Sequence, residues 1–509
     1  MVGGSITRQT ASVALASPLL IVAVCFVLVL LVLLGRAFYN VYLHPLRAYP
    51  GPKLWAATSF FWIYYRVTGQ LVWKSVELHR NYGNVVRVAP DHLSYTTETA
   101  WKTIYGHRSV ELQKNVLAGF SRPGLKDVHG ILSADRANHT RLRRVLAPAF
   151  SEKAVKEQDN CVMKYVNLLI QKLATRSVEG PVDMNQYFTW TTIDLIGDMM
   201  FGQPEGALER EYEGSWVNYL IGAIQSQVWL QALDSYGLGQ WQKYFLPKAK
   251  ANAVLDNFRI TSTKIDRRLA NSTNDHNDVF SYILPPDDEK GMSVMEMKLN
   301  SAIIIGAGTG TTTTWLSTIV HNLTCNPDAY QKLASEIRHA FANGDEITSE
   351  SVTQLSYLAA VLQESLRMHS PSPSSLGRFV PDGGDVIDGR FVPAGITVGV
   401  HQHAAYHLAS NFHRPDDFCP ERWLPSARDE NSPFAGDRLG VVQPFSYGPR
   451  TCLGIKLTHA ETRIIVAKLF WHFDLELLPE FKDWQTSQKG TVAWHRTPLK
   501  CRLTLIRRD

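Results

Sequence analysis

The 509-residue sequence predicts a mainly α-helical protein with small β-sheets, preceded by one N-terminal transmembrane helix. Three observations carry that class. An uncharged apolar run opens the chain, helical periodicity dominates from about 135 to 370, and β-branched runs broken by turn residues occupy only short stretches. A composition of 45% hydrophobic and 19% charged residues is that of a folded protein. The net charge of +5 is small for this length, and no basic run with interleaved aromatics occurs, which argues against nucleic acid as a partner.

After a short tail, residues 1–12, Val13 to Leu34 carry no charge. As a helix they would span about 33 Å, enough for a bilayer core of about 30 Å. A cleavable signal would have a shorter apolar core and small residues at its cleavage site, whereas Arg36 and aromatics follow here. Arg8 alone precedes the span, while Arg36, Arg47, Lys53 and Arg66 follow it. The positive-inside tendency then places the bulk of the chain in the cytosol, single-pass. On that orientation the sequons at Asn138, Asn271 and Asn322 stay unglycosylated. Residues 35–52 read as a proline-rich hinge, since Pro45, Pro50 and Pro52 fix φ and disfavour helix before them. No linker or repeat divides 53–509, which is predicted to be one catalytic domain.

Within that domain, "NVVRVAPDHLSYTT" (84–97) predicts short strands around a turn. "DVIDGRFVPAGITVGV" (385–400) predicts strand, Asp-Gly turn and further strand. Ser293 and Glu296 have capping-box spacing, and Asn326-Pro327 supplies a stop, so one helix is predicted over 294–325. Its middle, "GAGTGTTTT" (306–314), is made of poor helix formers, roughly 5–6 kcal/mol behind alanine. A dinucleotide-binding loop is the rival reading. G-x-G-x-x-G would need glycine at 311, where Thr311 stands, and a strand before it.

The six cysteines are scattered singly, with no CxxC pair. Cys452 lies in "PFSYGPRTCLGIKL" (444–457), between a glycine- and proline-bearing loop and an apolar helix. A thiolate at a helix N-terminus meets free N–H groups that favour its charged form and metal ligation. The segment has the form F-x-x-G-x-R-x-C-x-G and resembles the haem-thiolate loop of the cytochrome P450 family, with Phe445, Gly448, Arg450, Cys452 and Gly454 in place.

The resemblance extends along the chain and implies the cytochrome P450 fold. Glu364 and Arg367 resemble the E-x-x-R of the family's K-helix, and Arg422 in "PERW" would complete a buried Glu–Arg–Arg network. "HTRLRRVLAPAFS" (139–151) resembles the C-helix, with His139 where the family usually has tryptophan before Arg143. His139, Arg143, Arg378 and Arg450 are thereby implied as haem-propionate ligands, Phe445 as part of the cofactor loop and Cys452 as the iron ligand. "GAGTGTTTT" becomes the centre of the I-helix, where small Ala307 and Gly308 admit dioxygen and Thr311, followed by Thr312, holds the proton-delivering water. The family pattern expects an acid at 310, and this chain has Gly310.

By resemblance to membrane-anchored fungal secondary-metabolism members, the implied activity is a monooxygenase with haem b. It would hydroxylate, epoxidise or oxidatively couple a lipophilic terpenoid or polyketide intermediate. Electrons would come from NADPH through a separate cytochrome P450 reductase, with cytochrome b5 as a further possible donor, at the endoplasmic reticulum membrane. Gly310 motivates an alternative, rearrangement or dehydration without a reductase. A membrane-tethered nicotinamide dehydrogenase is the remote one. His401, His403, His407 and His413 lack an acidic zinc-enzyme partner and read as packing or surface residues, and Cys419 as structural. Arg141, Arg144 and Lys153 are candidates for a basic reductase-docking face. Pocket-lining segments are predicted at 115–124, 216–245, 302–311 and 372–377.

Overall fold

The computed structural model describes residues 7–115, 130–212, 248–270, 278–283 and 291–506 apart from 496, with isolated positions between 128 and 244. Asn271, most of the predicted 115–124 and 216–245 pocket segments and the loops at 271–277 and 284–290 lie outside the described residues.

Helix α1 (Thr7–Phe38) contains the apolar run, and Pro18–Leu43 is long and apolar enough to cross a membrane, with none of that stretch buried against the domain. The helix continues through Gly35–Phe38, into residues read as hinge. A wide helical turn, Tyr39–Leu43, follows, and extended backbone begins only at His44, before Pro45. Nothing between Gly35 and Leu43 breaks a helix as proline would. The hinge itself is pinned. Asn40 Nδ2 donates to the Ala57 carbonyl (3.0 Å), and the buried Arg87 guanidinium donates to the carbonyls of Asn40 (2.8 Å) and Pro90 (2.6 Å).

The β part is small. Strands β1 (Val85–Ala89) and β2 (His92–Tyr95) form the predicted hairpin. With β3 (Gln113–Lys114), β5 (Arg378–Phe379) and β8 (Thr397–Val400) they make a sheet ordered β1-β2-β8-β5-β3. β4 (Val182–Asp183), β9 (Phe473–Leu477) and β10 (Lys500–Leu505) form a second, ordered β4-β10-β9. β6 (Asp385–Ile387) and β7 (Arg390–Val392) are joined through Asp388 and Gly389, both at positive φ, as a tight Asp-Gly hairpin requires.

Helices make up the rest. α2 (Glu98–Tyr105), α3 (Arg136–Leu146), α4 (Asp159–Ser177), α5 (Met184–Phe201), α6 (Val294–Cys325), α7 (Ser356–Met368) and α8 (Ile455–His472) frame the site. α6 runs unbroken from the predicted capping box, with both Ser293–Glu296 bonds present. It packs along α5, where buried hydroxyls cross-link the pair: Thr192 to Thr313 at 3.0 Å and Asn185 to Ser317 at 3.0 Å. An apolar core from α4, α5, α7 and α8 encloses its C-terminal half, including Trp315, Leu316, Ile319, Val320 and Leu323. The glycine-threonine stretch is therefore held helical by tertiary packing rather than by propensity.

Candidate active site

The cysteine loop is shaped by backbone geometry before any side chain acts. Gly448 adopts a φ of 75°, and a Cβ there would collide with the Tyr105 carbonyl oxygen, so only glycine lets the loop rest on the end of α2. The Cys452 amide donates to the Phe445 carbonyl at 2.8 Å, closing the loop. Gly454 is the residue preceding α8. The Cys452 side chain keeps accessible surface although surrounding protein desolvates it, so it borders an interior space. That burial pushes the thiol up, against the Gly454 N–H and the charge of Arg143, which both favour the thiolate.

Basic side chains converge around this loop from four elements. Arg143, on α3, donates to the Thr451 carbonyl at 2.6 Å. Arg450 is bonded to the Glu111 carboxylate and to the Ala134 carbonyl (2.9 Å). Arg378, on β5, is buried with its guanidinium 4.9 Å from the Tyr105 ring centroid. Lys114 is its direct cross-strand neighbour on β3. Burial lowers Lys114 to about 7, helped by Arg378 and Arg450. Burial also lowers His139 to about 4, helped by Arg450, Lys114 and Arg143, so its imidazole is neutral near pH 7.

Like charges directly opposite in a sheet destabilise it, and Glu111 is the acid that acts on this group. Such a set fits a ligand that brings two carboxylates of its own. An iron porphyrin would fit that description, since it brings two propionates and an iron that a cysteine thiolate can hold. Lys114 and Glu111 escaped sequence reasoning. Neither belongs to a motif, and only the pairing of two-residue strands brings Lys114 beside Arg378.

α6 passes next to the loop, with its Trp315 ring 6.2 Å from the Phe445 ring. Its glycine-threonine stretch presents two faces. Ala307, Gly310, Thr311 and Thr314 leave accessible surface along one stripe at helical spacing. Thr311 Oγ1 donates to the Ala307 carbonyl (2.5 Å) and Thr314 Oγ1 to the Gly310 carbonyl (2.8 Å). A Cβ on Gly310 would meet nothing within 4 Å, whereas one on Gly308 would touch Ile196. Thr312 does not share this stripe. It is fully buried on the opposite side and donates to Glu461 of α8 at 2.8 Å. Helix, not strand, leads directly into the glycines, which sit mid-helix, and this removes the nicotinamide-loop reading.

Glu364, Arg367 and Arg422 meet with no exposed side-chain surface. Arg367 grips Glu364 through two bonds (2.9 and 2.7 Å) and Arg422 through one (3.0 Å). The Cys419 amide and the Trp423 indole fill the remaining carboxylate lone pairs (2.9 and 2.8 Å). Asp437, which sequence reasoning missed, pairs with Arg422 and balances the second guanidinium. His401, His403 and His407 are buried, His403 edge-on to Trp73 and Trp494, and His413 is exposed. No metal-ligand group of three or more occurs among the described residues.

A mainly helical domain with a cysteine loop over a basic interior cradle defines a haem-thiolate class of protein. The family model for Cytochrome P450 matches residues 49–503, and the chain belongs to that family. It is 40% identical over 474 residues to averantin hydroxylase of Dothistroma septosporum, covering 92% of this chain and 89% of the relative. It is 39% identical over 477 residues to cytochrome P450 monooxygenase stcF of Emericella nidulans (93% and 97% covered). Cytochrome P450 monooxygenase alt3 of Alternaria solani is 37% identical over 481 residues (94% and 93% covered). The protein is thus a P450 monooxygenase, an oxidoreductase that incorporates oxygen, and the family implies haem iron held by a cysteine thiolate.

Proposed function

We infer that this enzyme hydroxylates a lipophilic secondary metabolite, with a haem that Cys452 would hold through its iron and with the Ala307–Thr311 stripe bordering the reaction space. Bound haem would supply the oxygen-activating iron, and the thiolate's electron donation favours O–O cleavage. His139, Arg143, Arg378 and Arg450, with Lys114, would hold the propionates. Thr311 positions water on the substrate side, and Ala307 and Gly308 leave room for dioxygen and substrate. Thr312 and Phe445 act on the frame: one ties α6 to α8, the other closes the cysteine loop.

The observation that carries this reading is the opposed like-charge pair Lys114–Arg378 beside the Cys452 loop, which no described acid other than Glu111 answers. The name averantin hydroxylase, borne by a relative at 40% identity, supports hydroxylation and makes averantin the first substrate to screen. α1 would anchor the enzyme in the endoplasmic reticulum membrane with the catalytic domain in the cytosol. NADPH–cytochrome P450 reductase, or cytochrome b5, would supply electrons. Arg141 contributes little to docking them, because Glu296 holds it. Arg144, Lys153 and Lys456 remain exposed on that side.

A reduced carbon monoxide difference spectrum tests the ligand set, with a thiolate-type Soret band expected in the native chain and absent in Cys452→Ser. Gly310 favours a second reading, rearrangement or dehydration without reductase. Product formed only with NADPH and reductase decides for the oxygenase, and product formed without them decides against it.

A further inference from the structure

Away from the cysteine loop, basic side chains gather in a second place. The short helix Phe60–Val67 carries Trp62 and Arg66 four residues apart on one face, with the Arg66 guanidinium 4.7 Å from the Trp62 ring centroid. The Trp62 ring lies 5.2 Å from that of His92, the first residue of β2. His92 pairs with Thr397 of β8, and the parallel ladder runs on until the His401 amide donates to the Tyr95 carbonyl at 3.0 Å. Because side chains alternate along each strand, His92, Ser94, Thr397 and His401 share one face of the sheet. We propose that Arg66, His92 and His401 form a binding site for a phosphate oxyanion, carried by an anionic membrane lipid or free in solution.

Three observations support it. First, two histidines near this face differ in their partners. His79 is bonded to Ser94 Oγ and to the Gly83 carbonyl, both at 2.8 Å. His401 is only 4% exposed, and neither of its ring nitrogens has a hydrogen-bond partner among the described residues. Buried polar atoms in that condition are rare unless a ligand or water meets them. Second, Arg66 and His92 keep accessible surface although protein surrounds them, so both border a recess rather than open solvent. Third, the recess has one sign of charge. Burial lowers Arg66 only to about 10, so it stays a cation at neutral pH, and its charge opposes protonation of both imidazoles. No described carboxylate acts on any of the three, and Asp91, beside His92 in sequence, acts on Arg87 and His44 instead.

A phosphate oxyanion answers each of these. Its oxygens suit the two-pronged guanidinium fork, which Trp62 holds in place, and they accept from an imidazole N–H. Its charge compensates Arg66 and removes the opposition to protonating the histidines. The surroundings name the lipid source. Phe60 and Tyr64, on the other face of the same short helix, are exposed, as is Leu54 before it. Aromatic side chains of this kind favour the membrane–water interface. Asn40, just past α1, is bonded to the Ala57 carbonyl close before that helix, so the recess is tied to the end of the apolar anchor. The lipid source rests on the anchor reading, whereas inorganic phosphate needs no membrane, and neither depends on the monooxygenase reading.

The test compares full-length holoenzyme as native chain, Arg66→Met, His401→Leu and, as a control for surface charge, Arg47→Gln. In phosphate-free detergent R66M should melt no lower than native, because it removes a buried charge that has no counter-ion. Inorganic phosphate should then raise the melting temperature of native and R47Q and leave that of R66M where it was. In nanodiscs of phosphatidylcholine with phosphatidic acid, native mass spectrometry should find one phosphatidic acid retained per native chain. Retention should fall about tenfold in R66M and H401L and stay unchanged in R47Q. Stabilisation by phosphate without lipid retention would support the site and make its ligand a soluble anion. Three results would each overturn the proposal: no response to phosphate or phosphatidic acid, equal responses in native and R66M, or an R66M chain that is less stable than native before any phosphate is added.

Discussion

Two glutamates on neighbouring helices meet burial in opposite ways. Glu364 on α7 and Glu461 on α8 are both removed from solvent. Burial pushes each carboxyl up, but Arg367, Arg422 and the Cys419 amide more than offset it at Glu364, which ends below the usual carboxylate range. Glu461 has a single threonine and ends near 7. The same residue type thus stands either as a fixed charge that locks loops onto a helix or as a carboxyl that keeps its proton up to near neutral pH. Partner count, not depth, makes the difference.

Breaking the locked end should have the largest effect. Glu364→Ala leaves two guanidiniums buried with Asp437 alone to answer them, a loss of about 3–5 kcal/mol. The expected result is failure to accumulate folded, haem-loaded protein, read from the Soret absorbance of the purified chain. Arg367→Lys should be damaging too. A lysine cannot reproduce the fork that reaches Glu364 and the carbonyls of Tyr406, Pro415 and Asp417 together.

Next in size is the basic cluster proposed to hold the propionates, where Lys114 and Arg378 face each other across a strand pair. Lys114→Met should weaken haem retention, measured as haem transfer to an apoprotein acceptor, by about 1–3 kcal/mol. The haem-free chain, relieved of the Lys114–Arg378 repulsion, should be no less stable than native. If haem transfer is unchanged, Lys114 does not contact the cofactor.

Buried histidines give the molecule an acid-sensitive side. Burial lowers His79 to about 4, and His92 and His401 to about 3. Between those values and the unfolded value of about 6.5, the unfolded chain binds more protons, so stability rises with pH across that window. The melting temperature should therefore fall by several degrees between pH 6.5 and 4.5. His79→Gln should blunt the fall, because glutamine can still reach the Gly83 carbonyl or Ser94 without a charge to gain.

How much of this comparison the sequence carries depends on the reach of each interaction. Local rules located α6 to the residue: the Ser293–Glu296 box opens it and Asn326-Pro327 ends it. The Asp388-Gly389 hairpin, the apolar anchor and the two halves of E-x-x-R are equally local. A long spaced pattern exposed the cysteine loop. What stayed hidden depends on elements meeting from far along the chain. Thr312 and Glu461 are 149 positions apart. Asp437 finds Arg422 only after a loop folds back, and Lys114 finds Arg378 through a two-residue ladder. Thr311 and Thr312 are adjacent and alike in sequence. Only packing against α8 sends one hydroxyl to the open stripe and the other into the core.

The smallest prediction returns to the unlocked glutamate and has the opposite sign to most buried-residue changes. Because its folded value lies above the unfolded one, the folded state holds a proton that the unfolded state has released between about pH 4.5 and 7. Its contribution to stability is full below that range and lost as pH rises through it. Glutamine keeps the shape and can still bond Thr312 but never ionises. Glu461→Gln should therefore melt within about a degree of native at pH 5 and above native at pH 8, the gap opening near neutrality. A uniform loss across that range would mean that Glu461 is paired after all, and the contrast with Glu364 would be one of degree.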